Sequence, residues 1–234
     1  MVLLQEAVAH CYWSEDVRIS QRTQWLIGGA IFFFIVFAPY QYYRYMREHS
    51  KRFRTIEEGR VYRSGCLTAD GFREHITKHK IKSVITLWDE DPDPNLPNDR
   101  FSFNTIKESE LCKELGVNYK FIFVKLNHND QDPAYPPQAV KEFLEVLDKE
   151  ESYPVLFHCK AGLHRTGVMG AIFRMEYHGW SREDAMRELR SHGFGEFTGN
   201  FKNPYIRQYV LPYQPRNANG EPPMVRATMT NRSK

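Results

Sequence analysis

The sequence predicts an α/β domain, a central and mainly parallel sheet flanked by helices, preceded by one N-terminal transmembrane helix. Three observations predict it. From about Ile56 to Tyr213, short runs rich in Val, Ile, Phe and Tyr alternate with amphipathic stretches. Strands separated by helices build parallel sheets, because a parallel return needs a crossover. Between Arg22 and Arg44 stand 21 residues without a charge. Finally, the apolar run Pro154-Val155-Leu156-Phe157 leads through a glycine-containing loop into an apolar helix, an arrangement suited to holding an anion.

The uncharged segment comes first in the chain. At about 1.5 Å per residue it spans roughly 30 Å, the thickness of a bilayer core. Trp25 at one end and Tyr40, Tyr42 and Tyr43 at the other fit interfacial aromatic belts. A core helix would carry a polar face, which this one lacks. A cleaved signal peptide would open on a short basic stretch and end on small residues. Here Glu6, Glu15 and Asp16 precede the run and bulky aromatics follow it. Residues 44–54 hold Arg44, Arg47, Lys51, Arg52 and Arg54, against Arg18 and Arg22 before the span. Positive charge stays inside, so the large C-terminal part is expected in the cytoplasm, as a single-pass membrane protein. The expected layout is an N-terminal tail (1–22), the span (23–43), a basic juxtamembrane segment (44–55), the folded domain (56–213) and a disordered tail (214–234).

Within the domain, strands are expected at Arg60–Arg63, Ser83–Leu87, Tyr119–Val124 and Pro154–His158. Helices are expected at Thr68–His79, Thr105–Leu115, Pro136–Lys149, Arg165–His178, Ser181–His192 and Asn203–Val210. Gly116 and Gly179 stand where helices stop, and Ser181 stands where one starts. The last residues, rich in Pro, Asn and Arg, offer no apolar pattern.

Composition narrows function. A net charge of +3 is too small to argue for nucleic acid, and no zinc-finger or RNA-binding motif occurs. The four cysteines, Cys11, Cys66, Cys112 and Cys159, are scattered, which suits a reducing compartment rather than a disulfide scaffold.

The chemistry lies in His158-Cys159-Lys160-Ala161-Gly162-Leu163-His164-Arg165-Thr166-Gly167. Amides of residues 160–165 can curl around one centre at a helix N-terminus and cradle an anion. Gly162 permits the turn and Gly167 close helix packing. Arg165 offers a planar fork for two phosphate oxygens. Cys159 sits at the positive end of the helix, which favours its thiolate, and a thiolate beneath a bound phosphate is placed for in-line attack on phosphorus.

These residues resemble the H-C-x5-R-[ST] signature of the cysteine-based protein tyrosine phosphatase superfamily, matched at His158, Cys159, Arg165 and Thr166. The stretch Val61-Tyr62-Arg63-Ser64-Gly65 followed by Ile81–Leu87 looks like the small dual-specificity type. The resemblance implies phosphomonoester hydrolysis without metal or other cofactor. Cys159 would form a phosphocysteine, Arg165 and the loop from Lys160 to His164 would hold the phosphate, and His158 would orient the loop. Thr166 would help release the phosphate. An Asp would protonate the leaving oxygen and then activate water. That acid is expected 25–35 residues before the cysteine, where Asp130 and Asp132 both qualify; Asp130 is preferred because Asp132 precedes Pro133 and shapes the turn.

Other features take plainer readings. Asp89-Glu90-Asp91-Pro92-Asp93-Pro94 lacks the glycine and final glutamate of a calcium loop and reads as a solvated acidic loop. His128, His158 and His164 have no metal-binding spacing. Lys160 and His164 could read further phosphates on an inositol ring, while Leu163 stands where lipid phosphatases carry a second lysine. Cys66 reads as a small buried residue, with a protective disulfide to Cys159 as the alternative. The expected substrate is a phosphotyrosine or phosphoserine/threonine protein, with a phosphoinositide or inositol phosphate as the enzymatic alternative. An inactive phosphate-binding module is the third reading.

Overall fold

The computed structural model describes residues 20–48, 50–88, 91–99, 103–125, 137–194 and 203–216. It divides into two units, Met1–Arg44 and Tyr45–Lys234.

In the first unit, α1 (Gln21–Phe32) is capped by Ser20, whose hydroxyl accepts from the Thr23 amide. It runs through a π-helical turn at Phe33–Phe37 into α2 (Ala38–Glu48), whose residues from Tyr45 on are counted with the second unit. The stretch Gln21–Tyr43 is long and apolar enough to cross a membrane, with mean hydropathy 1.5 and 0% of that apolar stretch buried. Trp25, Leu26, Phe34 and Ile35 are all exposed. A core helix of a soluble protein would bury such side chains; a signal sequence near the N-terminus passes the same test of length and composition.

The second unit is built on a five-stranded sheet. Its strands are β1 (Arg54–Glu57), β2 (Val61–Gly65), β3 (Ser83–Trp88), β6 (Asn118–Phe123) and β7 (Val155–Cys159), in the order β1-β2-β7-β3-β6. The pairs β2–β7, β7–β3 and β3–β6 are parallel, while β1 lies antiparallel on β2, so the sheet is mixed. The antiparallel edge strand straddles the boundary that the sequence sets between the juxtamembrane segment and the domain, with Arg54 and Thr55 on one side and Ile56 and Glu57 on the other. A second, two-stranded sheet joins β4 (Asn95–Pro97) to β5 (Thr105–Lys107). The helix expected over 105–115 thus begins only at Glu108, as α4 (Glu108–Glu114). Thr105 and Ile106 are β-branched and favour the strand, and the first acidic turn marks the helix start.

Helices cover both faces. α3 (Ala69–His79) starts at Thr68, whose hydroxyl accepts from the Gly71 amide, and ends on Lys80 in the left-handed region. With α4 it covers Tyr62, Val84 and Leu156. On the opposite face lie α5 (Gln138–Leu147), α6 (His164–His178), α7 (Arg182–Ser191) and a π-helical turn at Ile206–Val210. They cover Val61, Ile85, Val155 and Phe157. Burying Phe143, Phe157 and Phe173 stabilises the fold by ~1.5–3 kcal/mol each. Gly179, at φ 64, stops α6, and Ser181 accepts from the Asp184 amide to start α7.

The described chain continues past Tyr213. Arg216 donates Nε to Glu176 Oε1 at 2.7 Å and both terminal nitrogens to Asp148, while Tyr213 donates to Glu176 Oε2 at 2.6 Å. Residues 217–234 lie outside the described residues. Glu176 is buried, so Arg216→Ala removes its charged donor, leaves it the Tyr213 hydroxyl and the residue-216 amide, and is expected to cost ~2 kcal/mol by urea unfolding. Asp148 contributes less, because that pair is open to solvent. The Arg216 hydrogen bond holds the Asp148 carboxyl below its usual range despite partial burial. Its contribution is therefore present above the unfolded value near 4 and is lost as pH falls through the folded one. The gap between wild type and variant should narrow below about pH 4; a gap that widens there would contradict this assignment.

Candidate active site

Period-two alternation along β7 sets the site. Val155, Phe157 and Cys159 face α6, while Leu156 and His158 face α3 and α4. The chain then turns through Lys160–Leu163 into α6. Cys159 is 3% exposed. Its Sγ accepts from the Gly162 amide at 3.2 Å, at the helix N-terminus where the loop amides lie.

The turn works only with glycine at its crossing point. Gly162 has φ 71, and a Cβ there would lie 2.6 Å from the Gly65 nitrogen and 2.8 Å from the Ser64 oxygen. Both are backbone atoms and cannot swing aside. Gly162→Ala is therefore expected to destabilise the protein by more than ~2 kcal/mol and to disrupt the loop. A variant with wild-type melting and activity would contradict the close approach. Gly167 is less demanding: a Cβ would meet the Phe194 ring at 3.2 Å.

His158 is fully buried, and its Nε2 lies 2.7 Å from Glu108 Oε1 at the start of α4. The Thr86 hydroxyl of β3 donates to the same oxygen at 2.5 Å and lies 3.1 Å from His158 Nε2. A ring beside a carboxylate donates to it, so the proton sits on Nε2 and the ring is fixed. Asp93 supports this corner by capping α4, accepting from the Ser109 amide at 2.9 Å and its hydroxyl at 2.7 Å. Part of the acidic loop is thus structural rather than solvated; Asp89 and Glu90 lie outside the described residues.

Thr166 is buried in the first turn of α6, with no hydrogen-bond partner for Oγ1 among the described residues. The Arg165 guanidinium lies 5.8 Å from the centre of the Tyr205 ring. His164 is flanked by Phe194 and Tyr205. Desolvation there, then the Arg165 charge, lowers the imidazole below its usual range, so it is neutral at pH 7 although part of it stays open. Lys160 is exposed, and Ala161 and Leu163 are half-buried. Asp130, Asp132 and His128 lie outside the described residues.

Two arginines that have no site role in the sequence reading reach the loop from outside. Arg63 of β2 is buried and donates Nη2 to the Gly162 oxygen at 3.0 Å. Its Nη1 lies 3.3 Å from His192 Nδ1. Burial, then Arg54, pushes Arg63 down to about 10, still a cation at neutral pH. Burial, then Arg54 and Arg63, pushes His192 down to about 4, so it is neutral and accepts the bond. Arg52 donates Nη1 to the Ala161 oxygen at 2.9 Å. Cys66, beside the loop, is pushed up to about 12 by burial and then by Glu108, and at neutral pH it remains a thiol.

The profile of the tyrosine phosphatase family matches residues 49–222, about three quarters of the chain. The chain belongs to this family. Its relatives include the dual specificity protein phosphatase TpbA of Pseudomonas aeruginosa, 43% identical over 59 residues, 24% of this chain and 27% of that protein. The match thus spans about a quarter of that relative's length. Inositol diphosphatase DSP3 of Arabidopsis thaliana is 27% identical over 138 residues, 59% of this chain and 60% of that one. Among solved structures, the core catalytic domain of the PP-IP phosphatase SIW14 from S. cerevisiae superposes with TM-score 0.52 at 22% identity, covering 69% of this chain and 85% of that one. At that identity the likeness concerns the fold, an α/β sheet flanked by helices. The family match agrees with the resemblance of the His158–Thr166 motif to the cysteine-based tyrosine phosphatase signature.

Proposed function

We propose that the protein is a phosphomonoesterase that hydrolyses phosphotyrosine, and phosphoserine or phosphothreonine in the same pocket, through a phosphocysteine at Cys159. The observation that carries this reading is the Gly162 amide donating to Cys159 Sγ at the N-terminus of α6. A donor on sulfur favours the thiolate, and the same end of the helix attracts the phosphate dianion. Sγ attacks phosphorus in line, forming the S–P bond as the P–O bond to the leaving group breaks. Arg165 and the loop amides hold the three equatorial oxygens while charge builds on them. Asp130 gives its proton to the departing oxygen. It then takes one from a water that attacks the phosphocysteine, returning the thiolate and releasing phosphate. The Thr166 hydroxyl, buried in the first turn of α6, supports departure of the sulfur. Glu108 and Thr86 fix His158, and His158 in turn positions the strand end that carries the nucleophile.

The apolar stretch Gln21–Tyr43 and the basic residues after it support a single-pass anchor with the phosphatase domain facing the cytoplasm. The bilayer is then a standing partner and phosphorylated proteins the substrates. A second reading, inositol diphosphates or phosphoinositides, is favoured by the names of two relatives and by Lys160 and His164 on the loop.

Phosphate release measured over phosphotyrosine peptides, phosphoserine peptides, phosphoinositides and inositol diphosphates separates these readings. Turnover highest on phosphotyrosine peptides and blocked by vanadate is the expected result. Preference for the inositol compounds would replace the first reading with the second. Absence of turnover on all, with retained phosphate binding, would leave a binding module.

A further inference from the structure

Three consecutive loop carbonyls are each held by a donor from another part of the domain. The Lys160 oxygen accepts from the Cys66 amide at 3.4 Å, the Ala161 oxygen from Arg52 at 2.9 Å, and the Gly162 oxygen from Arg63 at 3.0 Å. A trans peptide group is planar, with its C=O and N–H pointing in opposite directions. Holding the oxygen on one side therefore aims the amide to the other. The middle peptide has both ends occupied. Its oxygen, on Ala161, takes the Arg52 guanidinium, and its N–H, on Gly162, donates to Cys159 Sγ at 3.2 Å.

We propose that Arg52, in the basic segment after the apolar helix, is a positioning residue that acts on the Cys159 thiolate through the single Ala161–Gly162 peptide group. A cation on the oxygen polarises the peptide and strengthens the hydrogen bond its N–H gives to sulfur. The segment is built to hold Arg52 there. Arg52 has φ 58, a left-handed conformation that non-glycine residues rarely adopt. Both neighbours are anchored: the Lys51 oxygen accepts from the Gly65 amide at 2.7 Å, and the Phe53 ring stacks on His75 at 3.8 Å between centres. Other charged or titratable groups act on the sulfur's surroundings. Arg63 and Cys66 interact with Cys159, and Lys51, Lys160 and Glu108 with Cys66. Among the side chains hydrogen-bonded to loop carbonyls, Arg52 takes the peptide whose N–H reaches the sulfur. Five basic residues that otherwise read as a topology signal thus include one that belongs to the chemistry.

The inference rests on the phosphatase reading, so its test uses two readouts that need no turnover. In the full-length protein in detergent, Arg52→Ala is compared with wild type for vanadate binding and for the pH midpoint of iodoacetamide labelling of the Cys159 peptide. Vanadate binding should weaken about tenfold and the midpoint should rise by about one pH unit. Arg52→Lys, which keeps a charged donor, should recover part of both. If Arg52→Ala does not fold, Arg52→Gln is read in the same two ways. Unchanged vanadate binding and an unchanged midpoint would overturn the role of Arg52. A wild-type protein that binds no vanadate would instead overturn the phosphatase reading, and the labelling midpoint would still decide the role of Arg52.

Discussion

Cys159→Ser is expected to remove turnover by more than about 10⁴-fold while the protein still binds a phosphotyrosine peptide. The two halves of this expectation come from different atoms. Turnover needs a polarisable thiolate to attack phosphorus, and a serine hydroxyl with no base beside it stays protonated. Binding needs Arg165 and the N-terminus of α6, which the substitution leaves in place, and the Gly162 amide, which now donates to Cys159 Sγ, can donate to a serine oxygen in its stead. The side chain is 3% exposed and its replacement is nearly isosteric, so melting should stay close to wild type. Phosphate release and calorimetric titration with a phosphopeptide provide the check. Retention of even a tenth of wild-type turnover would take Cys159 out of the nucleophile's role.

Asp130→Asn is expected to lower turnover by ~10²–10⁴-fold on substrates with a poor leaving group. An alkyl serine phosphate needs its departing oxygen protonated, and a tyrosine phosphate benefits from it. A fluorinated aryl phosphate leaves nearly unaided, so its turnover should hardly change. The alkaline limb of the pH–rate profile reports loss of the acid's proton and should flatten in the same variant. Asp132→Asn should affect only the turn before Pro133. If the two variants exchange behaviour, Asp132 is the acid. If neither depends on the leaving group, the proton comes from His128 or the Asp89–Asp93 loop.

What could be read from the sequence was local in the chain. The loop from His158 to Gly167 is contiguous, and Cys159, the left-handed glycine and the helix start follow one another within a few residues. β3, β6 and β7 carry apolar runs that allow little else. Features assembled from distant segments left no such mark. Glu108 lies 50 residues before His158 and sits in a stretch whose spacing predicts a longer helix; only the fold shows it buried against the ring. Arg63 looks like an ordinary polar position in a half-exposed strand, yet it passes beneath α6, where a Cβ on Gly170 would lie 3.3 Å from its Nη1. The residues of β1 sit beside a cluster of cations, and charge counting masks the alternation Arg-Thr-Ile-Glu. Asp93 belongs to an acidic run whose composition suggests solvent exposure, although it caps α4. In each case the deciding interaction is a long-range polar contact, which leaves no periodicity in a single chain.

The strand order has a consequence for how the molecule is made. β7 lies between β2 and β3, yet it comes last in the chain among the described strands. While a ribosome works from Trp88 to Val155, the facing edges of β2 and β3 have no strand to join them. At ~5–20 residues per second that interval lasts several seconds. Open strand edges are templates for pairing with other chains, so this is when the nascent protein is most prone to aggregate. Insertion of Val155–Cys159 closes the gap, and Cys159, the proposed nucleophile, is the last residue of the strand that does so. The step that completes the central sheet thus also brings the Cys159 sulfur to the start of α6.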